Sequence, residues 1–171
     1  EIVSRDWSSD VCSSDLYILR TSWVYGEGNN FIRTILRLAK QRSELKVVSD
    51  QYGVPTNTNW LARLSLQLIN QKNVLSGIYH AVPSGRTSWF ELAHFLIECA
   101  NNLGVEFKLD LNHLYSIPAG DYPLPAKRPM NSCLSTKKLI TALPVSALVL
   151  EEGWKDQVKS YIQDLYQNKL I

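Results

Sequence analysis

The chain has 171 residues, of which 45% are hydrophobic and 20% are charged, and its formal net charge is +2 at pH 7. This composition is typical of one soluble globular domain and gives no reason to expect a nucleic-acid partner. No apolar run approaches the roughly 20 residues that a membrane span requires, and no secretory signal is visible, so we expect no membrane association.

The first sixteen residues differ from the rest of the chain. They are rich in serine and aspartate and have no helical or strand period. Residues 6–16, DWSSDVCSSDL, resemble the translation of a common sequencing-adapter oligonucleotide. We therefore predict that residues 1–16 form an artefactual or disordered segment, and that residues 17–171 carry the fold.

Short β-rich runs then alternate with amphipathic segments. The pattern predicts a strand at residues 17–21 that continues through 23–25, a second strand at 45–48 and a third at 77–82. A helix is predicted to begin at Phe31, and another to run from about 59 to 70. The residues predicted to face the core in these two helices are Phe31, Ile35, Leu38, Ala39, Leu61, Leu64, Leu68 and Ile69.

The second half of the chain continues this alternation. Thr87 or Ser88 is predicted to cap a helix that ends before Gly104, and residues 117–128 read as irregular and proline-rich. Ser135 is predicted to cap a short helix at 137–141, and a last helix is predicted from about Leu150 to Leu170. Strands alternating with helices predict an α/β fold with partly parallel pairing.

The residues show no catalytic constellation. The sequence has no Gly-x-Gly-x-x-Gly loop, no Gly-x-Ser-x-Gly elbow, no His-Glu-x-x-His helix and no P-loop. Its three histidines lack metal-ligand spacing, so we predict no metal site. Cys99 and Cys133 form neither a ligand motif nor a disulfide framework, which favours a reduced cytoplasmic protein.

Four stretches, in order, resemble one enzyme family. They are Leu19–Gly26 (LRTSWVYG), Val47–Thr56 (VVSDQYGVPT), Gly77–His80 with Ser84–Trp89 (GIYH and SGRTSW), and Tyr122–Leu134 (YPLPAKRPMNSCL). Together they resemble the dTDP-4-dehydrorhamnose reductases, which are extended short-chain dehydrogenases. Cys133, Leu124 and Trp60 depart from the family pattern, and Trp60 stands where an acidic or small residue is expected.

The resemblance implies a fold and an activity. It implies the C-terminal part of a Rossmann-type α/β enzyme, comprising the last sheet strands and the small substrate-binding domain. The family reduces the C4 ketone of dTDP-4-dehydro-L-rhamnose with NADPH. Its Gly-rich loop and Tyr-x-x-x-Lys pair lie upstream of the strand at Tyr17 and have no counterpart here. We therefore expect a nucleotide-sugar-binding fragment without catalytic residues, inactive alone. The resemblance leaves open a Mg²⁺ ion and a homodimer in the intact enzyme.

Four residues are candidates for substrate binding, each beside a structural alternative. Trp23 would be a flat apolar wall for the deoxysugar ring, or else a core aromatic. Arg128 would contact the diphosphate in bidentate fashion, or else be a solvated charge. Gln51 would hydrogen-bond the nucleotide, or else hydrogen-bond the backbone groups of a turn. Asn30 would donate near the phosphates, or else cap the following helix.

Two other functions remain open from the sequence. One is a non-catalytic, reductase-like regulatory subunit, of the kind found as the regulatory β subunit of methionine adenosyltransferase. The other is a different nucleotide-sugar reductase or epimerase of the same superfamily. The Gln51, Gly53 and Pro55 positions of the second motif favour the reductase.

Overall fold

The computed structural model describes residues 16–71, 73–122, 126, 128–143 and 152–171. Three sequence-based expectations lie outside these residues: the structure of residues 1–15, that of the loop at 123–125, and the start of the last helix at Leu150. Leu16 belongs with the fold, because its carbonyl accepts a hydrogen bond from the Gly77 N–H at 2.8 Å.

Eight strands in the described part of the chain pair two by two. Three pairs are parallel: β1 (Tyr17–Arg20) with β6 (Gly77–His80), β2 (Val24–Tyr25) with β5 (Thr56–Asn57), and β3 (Leu45–Val48) with β8 (Leu114–Ile117). The pair β4 (Tyr52–Gly53) and β7 (Thr87–Ser88) is antiparallel. These pairings confirm the predicted α/β class with partly parallel strands. Strand β8 was not predicted, because two of its four side chains are exposed and only the pairing with β3 defines it.

Five helices alternate with these strands in the described residues. They are α1 (Phe31–Gln41), α2 (Thr58–Ile69), α3 (Trp89–Asn102), α4 (Lys137–Ala142) and α5 (Trp154–Gln167). Two short 3₁₀ helices lie at Leu111–His113 and Ala119–Asp121. None of the helices among these residues is long and apolar enough to cross a bilayer.

The buried apolar side chains form two clusters. The larger joins α1, α3 and α5 to β3, with Leu36, Leu96 and Ile162 at its centre. The smaller lies between α2, α4 and β6, and it contains Trp60 and Leu139. Trp60 is 1% exposed, so this departure from the family pattern fills a core position rather than a site position.

Several predicted core positions need correction. In α1 the buried residues include Ile32 and Leu36, whereas Phe31 and Leu38 are only partly buried. In α2 the structure buries Trp60 instead of Leu61, and it leaves Ile69 66% exposed. The reason is geometric: α1 buries the face of Ile32, Ile35, Leu36 and Ala39, and α2 buries the face of Trp60, Leu64 and Leu68. Which face of an amphipathic helix is buried depends on the elements that the tertiary fold packs against it.

Two local predictions also differ from the structure. The predicted continuation of the first strand is interrupted at Trp23, whose φ of 44° takes β2 away from β1 and towards β5. Ser135 does not cap α4: the capping position is Thr136, and no side-chain hydrogen bond is made there. By contrast, Ser88 caps α3 as expected, and Gly104 follows that helix with a φ of 87°.

Candidate functional site

The fold brings four sequence motifs together around β4. We call this group the motif cluster, and it consists of residues 19–26, 50–56, 84–89 and 128–134. Strand β4 pairs with β7, which places Tyr52 opposite Ser88 and Gly53 opposite Thr87. This antiparallel pair joins the second motif to the third across about thirty-five residues of intervening sequence.

The fourth motif contacts Tyr52 through the backbone. The Tyr52 N–H donates to the Met130 carbonyl at 2.9 Å, and the Ser132 N–H donates to the Tyr52 carbonyl at 2.7 Å. Tyr52 and Asn131 therefore form a parallel bridge. Residue 52 thus has neighbours from the third and the fourth motif.

Hydrogen bonds between Ser22 and Val54 join the first motif to the second. The Ser22 hydroxyl donates to the Val54 carbonyl at 3.0 Å, and the Val54 N–H approaches the Ser22 oxygen at 3.4 Å. Trp23, the residue after Ser22, is also bonded to the second motif: its carbonyl accepts from the Thr56 N–H at 3.2 Å. These bonds hold Trp23 at the centre of the motif cluster.

The indole of Trp23 lies between Trp89 and Gly53. Its ring stacks on Trp89 with centroids 3.6 Å apart and an interplanar angle of 13°. A methyl group at Gly53 would overlap the indole, lying 2.8 Å from Cδ2 and Cζ2. Both ring faces are therefore covered by the protein, and the part of this half-buried side chain left for a ligand is its edge.

The other three candidate residues occupy different environments. Gln51 is 9% exposed and lies next to Tyr52 in the motif cluster. Arg128 is exposed and precedes Met130 by two residues, at the edge of the same cluster. Asn30 lies outside the cluster, at the start of α1, where its side chain accepts from the Arg33 N–H at 3.1 Å.

Asn30 belongs to a network that ties α5 to the start of α1. Its Nδ2 donates to the Gly26 carbonyl at 2.8 Å and approaches the Tyr161 hydroxyl at 3.2 Å. That hydroxyl donates to the same Gly26 carbonyl at 2.6 Å and accepts from Arg33 Nε at 3.2 Å. Both the oxygen and the nitrogen of the Asn30 amide are thus hydrogen-bonded to the protein. This arrangement agrees with the structural alternative, in which Asn30 caps α1.

Sequence reasoning missed the contribution of Arg86 and Tyr52. The guanidinium carbon of Arg86 lies 3.9 Å from the centre of the Tyr52 ring. Arg86 lies inside the SGRTSW stretch but is not among the four binding candidates predicted from the sequence. Trp89, the first residue of α3, is also the stacking partner of Trp23.

Two cavities open on the described surface. One of about 370 Å³ is lined by Phe90 and Phe95 of α3, by Trp154 of α5 and, from the motif cluster, by Arg86 and Thr87. The other, of about 430 Å³, lies between α2 and α5. Neither is lined by Trp23, Gln51 or Arg128.

Burial raises the pKa of two groups in this region. The pKa of Tyr25 lies well above its ordinary value because the phenol is desolvated, although Asn57 opposes part of that shift. Burial also raises the pKa of the Cys99 thiol. Tyr25 is 4% exposed, so it is a core residue of the first motif and is not placed to donate a proton to a ligand.

The described residues do not fit a dinucleotide cradle. Gly26 and Gly28 have the first two positions of a Gly-x-Gly-x-x-Gly loop before α1, but Phe31 occupies the third. The N-terminus of α1 is already capped by Asn30, and a side chain on Gly26 would overlap Thr58. The described part of the chain also holds no group of three or more His, Cys, Asp or Glu able to bind a metal ion.

Comparison with known proteins identifies the family. The sequence model of the RmlD substrate binding domain matches residues 10–167. The chain belongs to this family. It is 42% identical over 166 residues to the dTDP-4-dehydrorhamnose reductase of Escherichia coli K12, an alignment that covers 95% of the chain and 53% of that protein. It is 35% identical over 153 residues to the Bacillus subtilis spore coat polysaccharide biosynthesis protein SpsK, with coverages of 89% and 48%.

Solved structures agree with this assignment. A dTDP-4-dehydrorhamnose reductase from Clostridium acetobutylicum superposes with a TM-score of 0.74 at 36% identity, over 88% of the chain and 49% of that structure. The reductase from Bacillus anthracis, in complex with NADP, gives a TM-score of 0.70 at 30% identity, over 88% and 49%. The chain therefore spans about half the length of the relatives it matches, and the expected family and fold class are confirmed.

Proposed function

We propose that this chain supplies the nucleotide-sugar-binding part of a dTDP-4-dehydrorhamnose reductase. The intact enzyme would reduce the C4 ketone of dTDP-4-dehydro-L-rhamnose to dTDP-L-rhamnose with NADPH. The observation that carries the proposal is the motif cluster: four separated stretches of family sequence meet around Tyr52, through backbone bonds to Met130 and Ser132 and the pairing with Ser88. A packed core alone would not require them to share one surface.

Within this cluster each candidate residue has a distinct proposed role. The exposed edge of Trp23 contacts the apolar side of the methyl-bearing sugar, since its faces are taken by Trp89 and Gly53. Arg128, exposed beside Met130, binds the diphosphate through charge-assisted hydrogen bonds. Gln51 hydrogen-bonds the nucleotide. Asn30 supports the site indirectly by holding the loop after the first motif.

The remaining features of the intact enzyme are proposals of the same kind. The NADP complex of the Bacillus anthracis relative supports a nicotinamide cofactor. Because the described residues do not fit a dinucleotide cradle, we assign the cofactor to a part of the enzyme beyond this chain. A Mg²⁺ ion, a homodimer and a cytoplasmic location also remain proposals. The free thiols of Cys99 and Cys133 are compatible with that location.

The reductase is favoured over the two alternatives. Structures of a dTDP-glucose 4,6-dehydratase and a UDP-glucuronic acid 4-epimerase resemble the chain at 11% and 20% identity, which shows a shared fold alone. The reductases match at 42% and 36%. No observation on the described residues points to a regulatory subunit.

The proposal is tested by binding and turnover measurements on the chain itself. We expect isothermal titration with dTDP and dTDP-L-rhamnose to show binding, and NADPH oxidation with dTDP-4-dehydrorhamnose to show no turnover. Arg128→Ala should raise the Kd for dTDP by roughly one to two orders of magnitude, and by less at high salt, because it removes charge-assisted bonds of about 1.5–3 kcal/mol each.

Arg37→Ala is a matched control for this experiment. Arg37 is an exposed arginine on α1 that bonds Gln41, so its loss changes the net charge equally without touching the motif cluster. Turnover comparable to an intact reductase would show that the chain is not a fragment of the proposed kind. Binding of NADPH in place of dTDP would show that the motif cluster faces the cofactor.

A further inference from the structure

Arg86 is an exposed arginine with a fixed position. Its guanidinium carbon lies 3.9 Å above the centre of the Tyr52 ring, a distance typical of a cation–π contact. The next residue, Thr87, is paired with Gly53, so the backbone that carries Arg86 is held by strand β7. A guanidinium held against a ring in this way loses less freedom on binding a ligand than a free side chain does.

The place of this arginine is at the motif cluster. Tyr52 bonds through its backbone to Met130 and Ser132, the segment that also carries Arg128. Arg86 reaches Tyr52 from β7, and Arg128 precedes the bridge at Asn131. The guanidinium of Arg86 and the backbone of the segment that carries Arg128 therefore both meet Tyr52.

No ion pair in the described part of the chain neutralises the charge of Arg86, although Glu91 and Glu98 line the same cavity as Arg86. Within the described residues the recorded ion pair joins Arg63 to Glu152, and Arg86 has no such partner. The nearby carboxylate of Glu91 accepts from the Ser88 N–H at 2.7 Å and so serves the helix cap. An exposed, oriented and unpaired guanidinium presents its planar fork of donors to an anion, and phosphate oxygens fit that fork in bidentate fashion.

We propose that Arg86 is a second diphosphate-binding residue, with Tyr52 as the platform that positions it. The inference rests on the proposed function, and it adds a binding residue from the SGRTSW stretch. The ligand class is a nucleoside diphosphate, and a nucleoside without phosphates gains nothing from this contact.

The experiment compares dTDP with thymidine on the chain itself. Arg86→Ala is expected to raise the Kd for dTDP by about tenfold, the lower end of the effect of a charge-assisted bond, and to leave the Kd for thymidine unchanged. Arg37→Ala again serves as the control for lost charge. A parallel titration with inorganic pyrophosphate should show the same dependence on Arg86.

The platform is tested separately. Tyr52→Phe keeps the ring and should bind dTDP as the parent does, whereas Tyr52→Leu removes it and should raise the Kd about threefold. Circular dichroism of each variant checks that the fold is retained. If Arg86→Ala unfolds, it is replaced by Arg86→Met, which keeps the aliphatic part of the side chain over Tyr52.

Each outcome has a separate meaning. If the parent chain binds dTDP and Arg86→Ala binds it equally well while Arg128→Ala does not, this inference is overturned and the proposed function stands. If Arg86→Ala lost affinity equally for thymidine and dTDP, the role of Arg86 would be only structural. If the parent binds neither dTDP nor dTDP-L-rhamnose, the proposed function fails, and this inference fails with it.

Discussion

At the scale of single residues, the packing of Trp23 explains why glycine stands at position 53. The Gly53 backbone lies against one face of the indole, and Trp89 covers the other. Two ring-fusion atoms are among the nearest neighbours of a side chain built at Gly53, so the contact is with the ring face. The glycine of this motif thus serves close packing rather than an unusual backbone conformation.

Gly53→Ala should therefore destabilise the protein. The added methyl group would meet Cδ2 and Cζ2 of Trp23 at 2.8 Å, and the stack with Trp89 prevents easy retreat of the ring. Overpacking of this kind costs about 1–3 kcal/mol of the free energy of unfolding, which urea denaturation would measure.

Two comparisons isolate the cause. Gly120→Ala adds a methyl group where no atom lies within 4 Å, so its free energy of unfolding should change little. In a Trp23→Ala background, Gly53→Ala should cost about 0.5 kcal/mol or less, since the ring is gone. A large cost in that background would show that position 53 needs glycine for another reason.

At the scale of elements, helix caps show which local signals decide a boundary. Ser88 and Glu91 form a capping box at α3: the Ser88 oxygen accepts from the Glu91 N–H at 3.1 Å, and Glu91 accepts from the Ser88 N–H at 2.7 Å. Helix α4 begins after Thr136, which makes no such bond. The same residue class thus precedes both helices but stabilises only one.

Ser88→Ala should lower the free energy of unfolding by about 1 kcal/mol, because it removes the buried hydroxyl that accepts from the Glu91 N–H. Thr136→Ala is the matched control and should change stability by only a few tenths of a kcal/mol, since no cap bond is lost. Chemical denaturation of both variants measures the difference. Equal effects would mean that the capping box adds nothing to α3.

At the scale of the whole molecule, strand β1 is the point where the fold begins among the described residues. It pairs with β6 from Tyr17 to Arg20, and the Tyr17 hydroxyl donates to the Val74 carbonyl at 3.0 Å. The carbonyl of Leu16 adds one further bond to Gly77. We infer that stability depends on the chain from Leu16 onwards.

Deletion of residues 1–15 should accordingly leave the melting temperature within about 2 °C of the parent, because a Ser- and Asp-rich stretch offers little apolar surface to offset its ordering entropy. Deletion of residues 1–20 removes β1 and should lower the midpoint by much more. Differential scanning calorimetry compares the two. A drop of about 5 °C or more for the shorter deletion would contradict the expectation that this segment is dispensable.

The sequence by itself determined the α/β class, most helix bounds and the caps at Asn30 and Ser88, because hydrophobic period and capping chemistry act over a few neighbouring residues. It also indicated the family, since four motifs occur in family order. It pointed to Trp23, Gln51 and Arg128, whose binding roles remain predictions.

Only the tertiary structure decided which of these residues meet. Strand β8 exists through its pairing with β3, and the faces of Trp23 are covered by residues 30 and 66 positions away in the chain. The Arg86–Tyr52 contact likewise joins the loop before β7 to strand β4, which no local pattern connects. Such contacts depend on how the strands pair, and pairing between distant segments leaves no periodic signal in either segment alone.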